Sequence, residues 1–261
     1  MKKTLIAATV VGIFSLPMLA VADDAPAAPY SFTGNVTLAS EYIYRGIEQT
    51  AGKPAIQGGF DFSHDSGFYA GLWGSNISWV SDGLPGTTSS IELDVYGGYR
   101  NTFAGGDWNY DLGVLTYIYP VSNFPSDTTK PDTTEVYAAV GWKWLTLKYS
   151  SVVSSHIFGF DSETGGNTRN SSYTDLTGTY DLGGGWGVSA HIGHQKIKDN
   201  NDASYTDYRL GATKDVGLGT VGLYYSDTDA NSCGDANPVY CNPNNRDLGK
   251  GRVVLSFTKS L

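Results

Sequence analysis

After residue 22 the chain has no apolar run near the roughly 18 residues that a membrane-crossing helix needs. That excludes a helical membrane domain from the rest of the 261 residues. Positive charge is also scarce. Seventeen Lys and Arg stand against 26 Asp and Glu, a net charge of −9, so there is no basic footprint for nucleic acid. Only two cysteines are present. Two thiols with no histidine near them in sequence are too few for a metal centre and suit one disulfide in an exported protein. No linker-like break divides the chain. What is abundant is glycine, at 33 residues, and aromatic side chains, at 13%, while charged residues make up only 16%.

The first 22 residues, "MKKTLIAATVVGIFSLPMLAVA", set Lys2 and Lys3 before an apolar stretch and end on Ala20-Val21-Ala22. That is the layout of a secretory signal peptide with a small-x-small cleavage site. Pro17 and the small-residue end argue against an anchor. Cleavage before Asp23 removes two lysines and no acids, taking the charge from −9 to −11. Residues 23–30 read as a short disordered lead-in and 31–261 as one domain.

Beyond it, apolar and polar residues alternate with period two, the mark of strands whose faces meet different surroundings. Phe32, Val36 and Leu38 oppose Thr33, Asn35 and Thr37; Ile91, Leu93 and Val95 oppose Glu92, Asp94 and Tyr96; Val253, Leu255 and Phe257 oppose Arg252, Ser256 and Thr258. Twelve such segments are expected, near 31–46, 53–62, 67–79, 88–103, 107–119, 133–143, 144–157, 171–182, 185–198, 203–214, 218–227 and 249–260. Most are about 10 residues or longer, enough to cross a bilayer when tilted.

Their connections alternate in length. "SHDSG", "AGGD", "LGGG" and "DVGLG" are tight, whereas "PVSNFPSDTTKPD", "FGFDSETGGNTRNS" and "TDANSCGDANPVYCNPNNRDLG" are long. The ninth, "DNND", is short for its place. A transmembrane barrel has this rhythm, with short periplasmic turns and longer external loops. Strands survive in lipid only as a closed ring, because lipid gives an open edge no hydrogen-bond partner. A soluble sandwich would need an apolar inner face, and here the polar face carries charges from many strands. The expected fold is therefore all-β, an antiparallel transmembrane barrel of about 12 strands. Tyr42, Tyr44, Trp79, Trp108, Trp142, Trp144 and Trp186 are expected in its interfacial girdles.

The stretch "LASEYIYRGIEQTAGKPAIQGGFDFSHDSGFYAGLWGSN", residues 38–76, carries Ser40, Tyr42, Arg45-Gly46 and Gln49-Thr50, then Pro54-Ala55, Gln57-Gly58-Gly59 and Asp61, then Gly67, Tyr69-Ala70-Gly71, Trp73 and Ser75-Asn76. These residues resemble the opening of the TorF-type porins of Gram-negative bacteria. The likeness is specific over roughly 36–100 and looser beyond. It implies an outer-membrane β-barrel, with a pore as the expected activity. It brings no catalytic residues. Such barrels commonly close on an aromatic residue, whereas this chain ends in Leu261 with Phe257 four residues earlier.

Other motifs weigh little. "GLGTVG" at 217–222 is followed by another strand pattern rather than a helix, so it reads as a hairpin turn. "DTDANSCG" at 227–234 starts like a calcium loop but has Ser232 and Pro238 at its sixth and twelfth positions. Ser189 and His191 share a face, about 6.5–7 Å apart along a strand, beyond direct hydrogen-bond reach. Cys233 and Cys241, eight apart, are expected to bridge within the longest loop.

The charges on the polar face are the better lead. Glu41, Arg45, Glu92, Asp94, Arg100, Asp111, Glu135, Lys148, Asp175, Asp207, Arg209 and Arg252 are expected to line a lumen, with Asp61 and Lys143 also inward. Arg45 on the first strand and Arg252 on the last would be neighbours where the ring closes. The expected function is passive diffusion of small polar solutes or ions, with the outer-membrane bilayer as partner, no cofactor, no metal and no nucleic acid. The oligomeric state stays open. The rivals are an occluded structural or surface-interaction barrel and, more distantly, an outer-membrane enzyme.

Overall fold

The computed structural model describes residues 28–83, 87–121 and 128–261. The expected signal peptide, and the lead-in up to residue 27, lie outside the described residues. In chain order the strands are β1 (Tyr30–Ala39), β2 (Ile43–Tyr44), β3 (Ile47–Glu48), β4 (Ala55–His64), β5 (Phe68–Asn76), β6 (Ile91–Phe103), β7 (Trp108–Ile118), β8 (Thr133–Trp142), β9 (Leu145–Val152), β10 (Ser172–Gly183), β11 (Trp186–Lys196), β12 (Tyr205–Asp215), β13 (Thr220–Thr228) and β14 (Arg252–Ser260). A short α-helix, α1, covers Trp79–Gly83, and a single 3-10 turn covers Ala104–Gly106 among the described residues.

β1 and β4 to β14 form a closed antiparallel barrel of twelve strands. β1 closes the ring by pairing Asn35 with Ser260 and Ala39 with Ser256 on β14, and Tyr30 with His64 and Ala39 with Ala55 on β4. Closure leaves no edge, which satisfies the backbone where lipid cannot. β2 and β3 stand apart as a two-stranded sheet.

The alternation sorts cleanly between the two faces. Phe32, Phe60 and Leu210 point outward, at 72%, 66% and 66% exposure, while Thr37, Gln57 and Glu92 point inward and are buried. An apolar band this continuous around a ring would not stay monomeric in water and fits lipid. At the end of the barrel with tight turns, Trp108, Trp142, Trp144 and Trp186 are exposed on the outside, where an interfacial girdle belongs. Tyr149, Tyr208 and Tyr225 are exposed on strands near the other end.

Inward tyrosines lean on glycines of the next strand. Tyr96 faces Gly71 and Tyr137 faces Gly113 across their pairs. A Cβ at either glycine would collide with the facing ring.

Three sequence expectations need correction. The first segment does not run to residue 46; β1 stops at Ala39. Tyr42, Tyr44 and Trp79 are not girdle residues. Tyr42 and Tyr44 lie on the β1–β4 connection, turned into the barrel, and Trp79 on α1 packs edge-on against Tyr119 at 5.1 Å. Lys143 does not face the lumen. It sits in the tight β8–β9 turn at φ 53°, half exposed, 3.9 Å from Asp107.

Candidate functional site

The connection from β1 to β4, residues 40–54, folds inward rather than outward. It is a hairpin with two tight turns. Arg45 and Gly46 have φ of 45° and 77°, and Ala51 and Gly52 have φ of 51° and 73°. Positive φ at both central residues is the two-residue turn whose twist matches paired strands, and the first of these joins β2 to β3. Glycine is needed at Gly46 for a second reason: a Cβ there would strike Asp207 and Thr228 of the barrel wall. The hairpin's backbone is tied to loops on both sides. Glu48 N donates to Leu248 O at 2.9 Å, and Ser78 N donates to Gln49 O at 2.8 Å.

The tip carries Arg45 across the lumen. Its guanidinium grips Glu135 of β8 with both nitrogens, at 2.7 and 2.9 Å, and donates to Gln195 of β11 at 2.8 Å. It also lies 4.1 Å over the Tyr173 ring on β10. The Tyr44 hydroxyl bonds that of Tyr117, and Tyr42 donates to Glu92 at 3.3 Å while packing on Trp73 at 5.5 Å. Bidentate contact between planar groups makes the Arg45–Glu135 pair both strong and directional.

The hairpin's stem is held by a second ionic group. Glu48, fully buried, takes Arg246 of the β13–β14 loop at 2.7 and 2.8 Å and Arg252 of β14 at 3.0 Å. Glu41 lies 3.7 Å from each of the two arginines. Burial raises the Glu41 carboxyl above its ordinary range, and the hydrogen bond and charge of Glu48 push the same way, against the pull of Arg252 and Arg246. The hydrogen bond to Glu48 holds the Arg246 guanidinium above its usual value. Arg45 and Arg252 are therefore not neighbours at the seam: Arg252 on β14 joins the stem and Arg45 the far wall, because the chain leaves β1 at Ala39, before it reaches Arg45.

A third cluster lies on the wall itself. His191 presents Nδ1 to Asp175 at 2.8 Å and Nε2 to Asp207 at 2.8 Å, and Tyr173 donates to Asp207 at 2.8 Å. Both ring nitrogens face carboxylate oxygens, an arrangement that suits a doubly protonated ring. These carboxylates, not Ser189, are what His191 engages.

Among the described residues, the lumen toward the tight-turn end is lined by the wall alone. Tyr96 donates to Asp61 at 2.7 Å, Tyr69 donates to Asp111 at 2.6 Å, and Arg100 donates to Ser63 at 2.8 Å. Lys148 lies 3.9 Å over the Tyr137 ring. A pocket along β1 and β11 to β14 is bounded by Thr37, Ser189, Arg209, Tyr224, Ser256 and Thr258.

Sequence reasoning missed Glu48, Arg246 and Gln195. Glu48 falls between the expected segments 31–46 and 53–62, and the other two meet the hairpin only after closure. The signal that was present is the pair "RG" and "AG", 45–46 and 51–52, which spaces two glycine turns six residues apart. The cysteines Cys233 and Cys241 are disulfide-bonded in the β13–β14 loop.

A closed twelve-stranded antiparallel barrel with a charged interior is the architecture of outer-membrane porins. The fold matches a solved NanC porin with a TM-score of 0.54 and 14% identity, over 86% of this chain and 97% of that one. It matches a KdgM porin at 0.52 and 6% identity, over 88% and 99%. The chain belongs to the Gcw_chp family, bacterial proteins of unknown function, whose model matches residues 23–261. Among curated proteins none matches the chain significantly.

Proposed function

We propose that this protein is an outer-membrane channel of porin type, related to the TorF-type porins, through which small polar solutes or ions diffuse passively. Residues 1–22 serve as the export signal, the tight turns face the periplasm and the long loops face outward. The observation that carries the reading is the sorting of side chains. An apolar band faces out, while Asp61, Arg100, Asp111, Lys148 and Arg209 face a lumen that at the turn end holds only the wall among the described residues. In this reading the twelve charged residues from Glu41 to Arg252 line the path, and Arg45 on its hairpin sets the constriction. Opposed charges at a narrowing act on permeating ions through a short, poorly screened distance. No catalytic role is assigned, since His191 is held between two aspartates.

One observation favours an occluded barrel instead: the hairpin and its ion pairs fill the loop-end half. Reconstitution in planar bilayers separates the two. The channel reading expects stepwise conductance from the wild type. A variant with Tyr42–Gly52 replaced by a short Gly-Ser turn is expected to give larger steps. Silence from both would make the barrel a structural or surface-interaction protein. Lipid hydrolysis by the purified protein would revive an enzyme.

A further inference from the structure

Two acids on β6 stand outside every ion pair described above. Glu92 and Asp94 both face the lumen at the loop end, 1% and 4% exposed. Being two residues apart on one strand, they point to the same side. Glu92 receives one hydrogen bond, from Tyr42. Asp94 makes neither an ion pair nor a hydrogen bond among the described residues, and its Oδ1 is buried without a partner. The nearest guanidinium in the hairpin, that of Arg45, is committed to Glu135. An ionised carboxylate in such a place is costly unless a proton or a cation neutralises it.

The surroundings indicate which. Asp94 pairs across the sheet with Trp73 on one side and Tyr117 on the other. Both rings are buried, as are Tyr42 and Tyr96. Aromatic faces attract cations, and the attraction grows when water is excluded. The group lacks what a divalent ion demands. Calcium wants six or more oxygen ligands, and among the described residues no cluster of three or more acids, histidines or cysteines is placed to hold a metal.

We propose that Glu92 and Asp94, framed by Trp73, Tyr117 and Tyr42, form a binding site for a compact monovalent cation of potassium or ammonium size. The two carboxylates supply the charge and the rings close the sides. The cation compensates Asp94 and helps seat the hairpin through Tyr42, which touches both Glu92 and Trp73. The site stands whether or not the lumen conducts.

The test measures thermal unfolding of the refolded barrel in neutral detergent, in potassium, ammonium or N-methylglucammonium chloride at equal ionic strength. Potassium or ammonium at tenfold its dissociation constant is expected to raise the midpoint by roughly 3–6 °C over the bulky cation. A response to potassium alone or ammonium alone identifies which ion the site prefers. Asp94→Asn, and Glu92→Gln with Asp94→Asn, are expected to abolish the difference. Equal midpoints in all three salts overturn the proposal. So does a salt effect that survives in the double variant, which would place the ion elsewhere. Should the variants fail to fold, infrared spectra of the wild type decide. A protonated carboxyl band that weakens when potassium replaces N-methylglucammonium supports the site, and a protonated carboxyl band unmoved by exchange of the cation shows that a proton does this work instead.

Discussion

At the loop end of the lumen, Tyr42, Arg45 and Glu48 bring a second layer of side chains inside the wall. At the turn end, among the described residues, the wall faces inward alone, with Tyr69, Tyr96, Tyr137 and a run of Gly, Ser and Thr along β11 to β14. The wall alternates in the same way at both ends. What differs is one connection, 40–54, and where it goes. The difference teaches that a barrel's bore is not set by strand number alone. It depends on whether a loop can satisfy itself inside, and here it can only because charge meets charge at both tip and stem.

The sharpest way to break the contrast is at the tip. Arg45→Ala leaves Glu135 buried without its cation, a loss of about 3–5 kcal/mol for a broken buried pair. Urea unfolding in micelles is expected to show it, together with increased conductance as the hairpin loosens. Arg45→Ala combined with Glu135→Gln is expected to recover most of the stability while keeping the conductance change. If the single variant is as stable as the wild type, the tip does not hold the hairpin.

The stem offers a gentler probe, through pH. The folded state holds the Glu41 proton more tightly than the unfolded chain does. Stability therefore falls as pH rises from the ordinary carboxylate range through the raised value, and acidification across that window strengthens the stem. Glu41→Gln is expected to flatten this slope relative to the wild type, read as the unfolding midpoint against pH. Parallel curves for the two proteins would show that Glu41 is not the titrating group.

The smallest effect is expected in the external loop. Cys233 and Cys241 close a ring with a sequence separation of only 8 and lie outside the strand ladder. A bridge of this kind contributes at most a few kcal/mol. Reduction is expected to leave the barrel resistant to cold SDS and shifted in migration only on boiling. That loop does touch the hairpin, since Leu248 bonds both Tyr240 and Glu48 through the backbone. Loss of the folded band on reduction would mean that the loop, rather than strand closure, holds the molecule together.

The strands were legible because alternation is local. Thr37 and Leu38 declare opposite faces without reference to any other strand, and lipid on one side with a polar interior on the other keeps that pattern strict for twelve segments. The connections were mostly legible for the same reason, as glycine and proline mark turns wherever they fall. The hairpin was not. Alternation continues unbroken from Ala39 through Arg45, so nothing in the period marks where the chain leaves the sheet. The turn at Arg45 places a non-glycine residue at positive φ, a conformation its side chain does not announce.

The sequence by itself determined the ring: which residues meet lipid, which face inward, and that the edges must pair. The tertiary structure decided the partners. Arg45 and Glu135 are 90 residues apart, and Glu48 and Arg246 are 198 apart. Such pairs exist only once closure brings opposite walls within a side chain's reach. A charge on a strand shows its face in the sequence, but which opposite charge lies across a lumen is a property of the closed barrel.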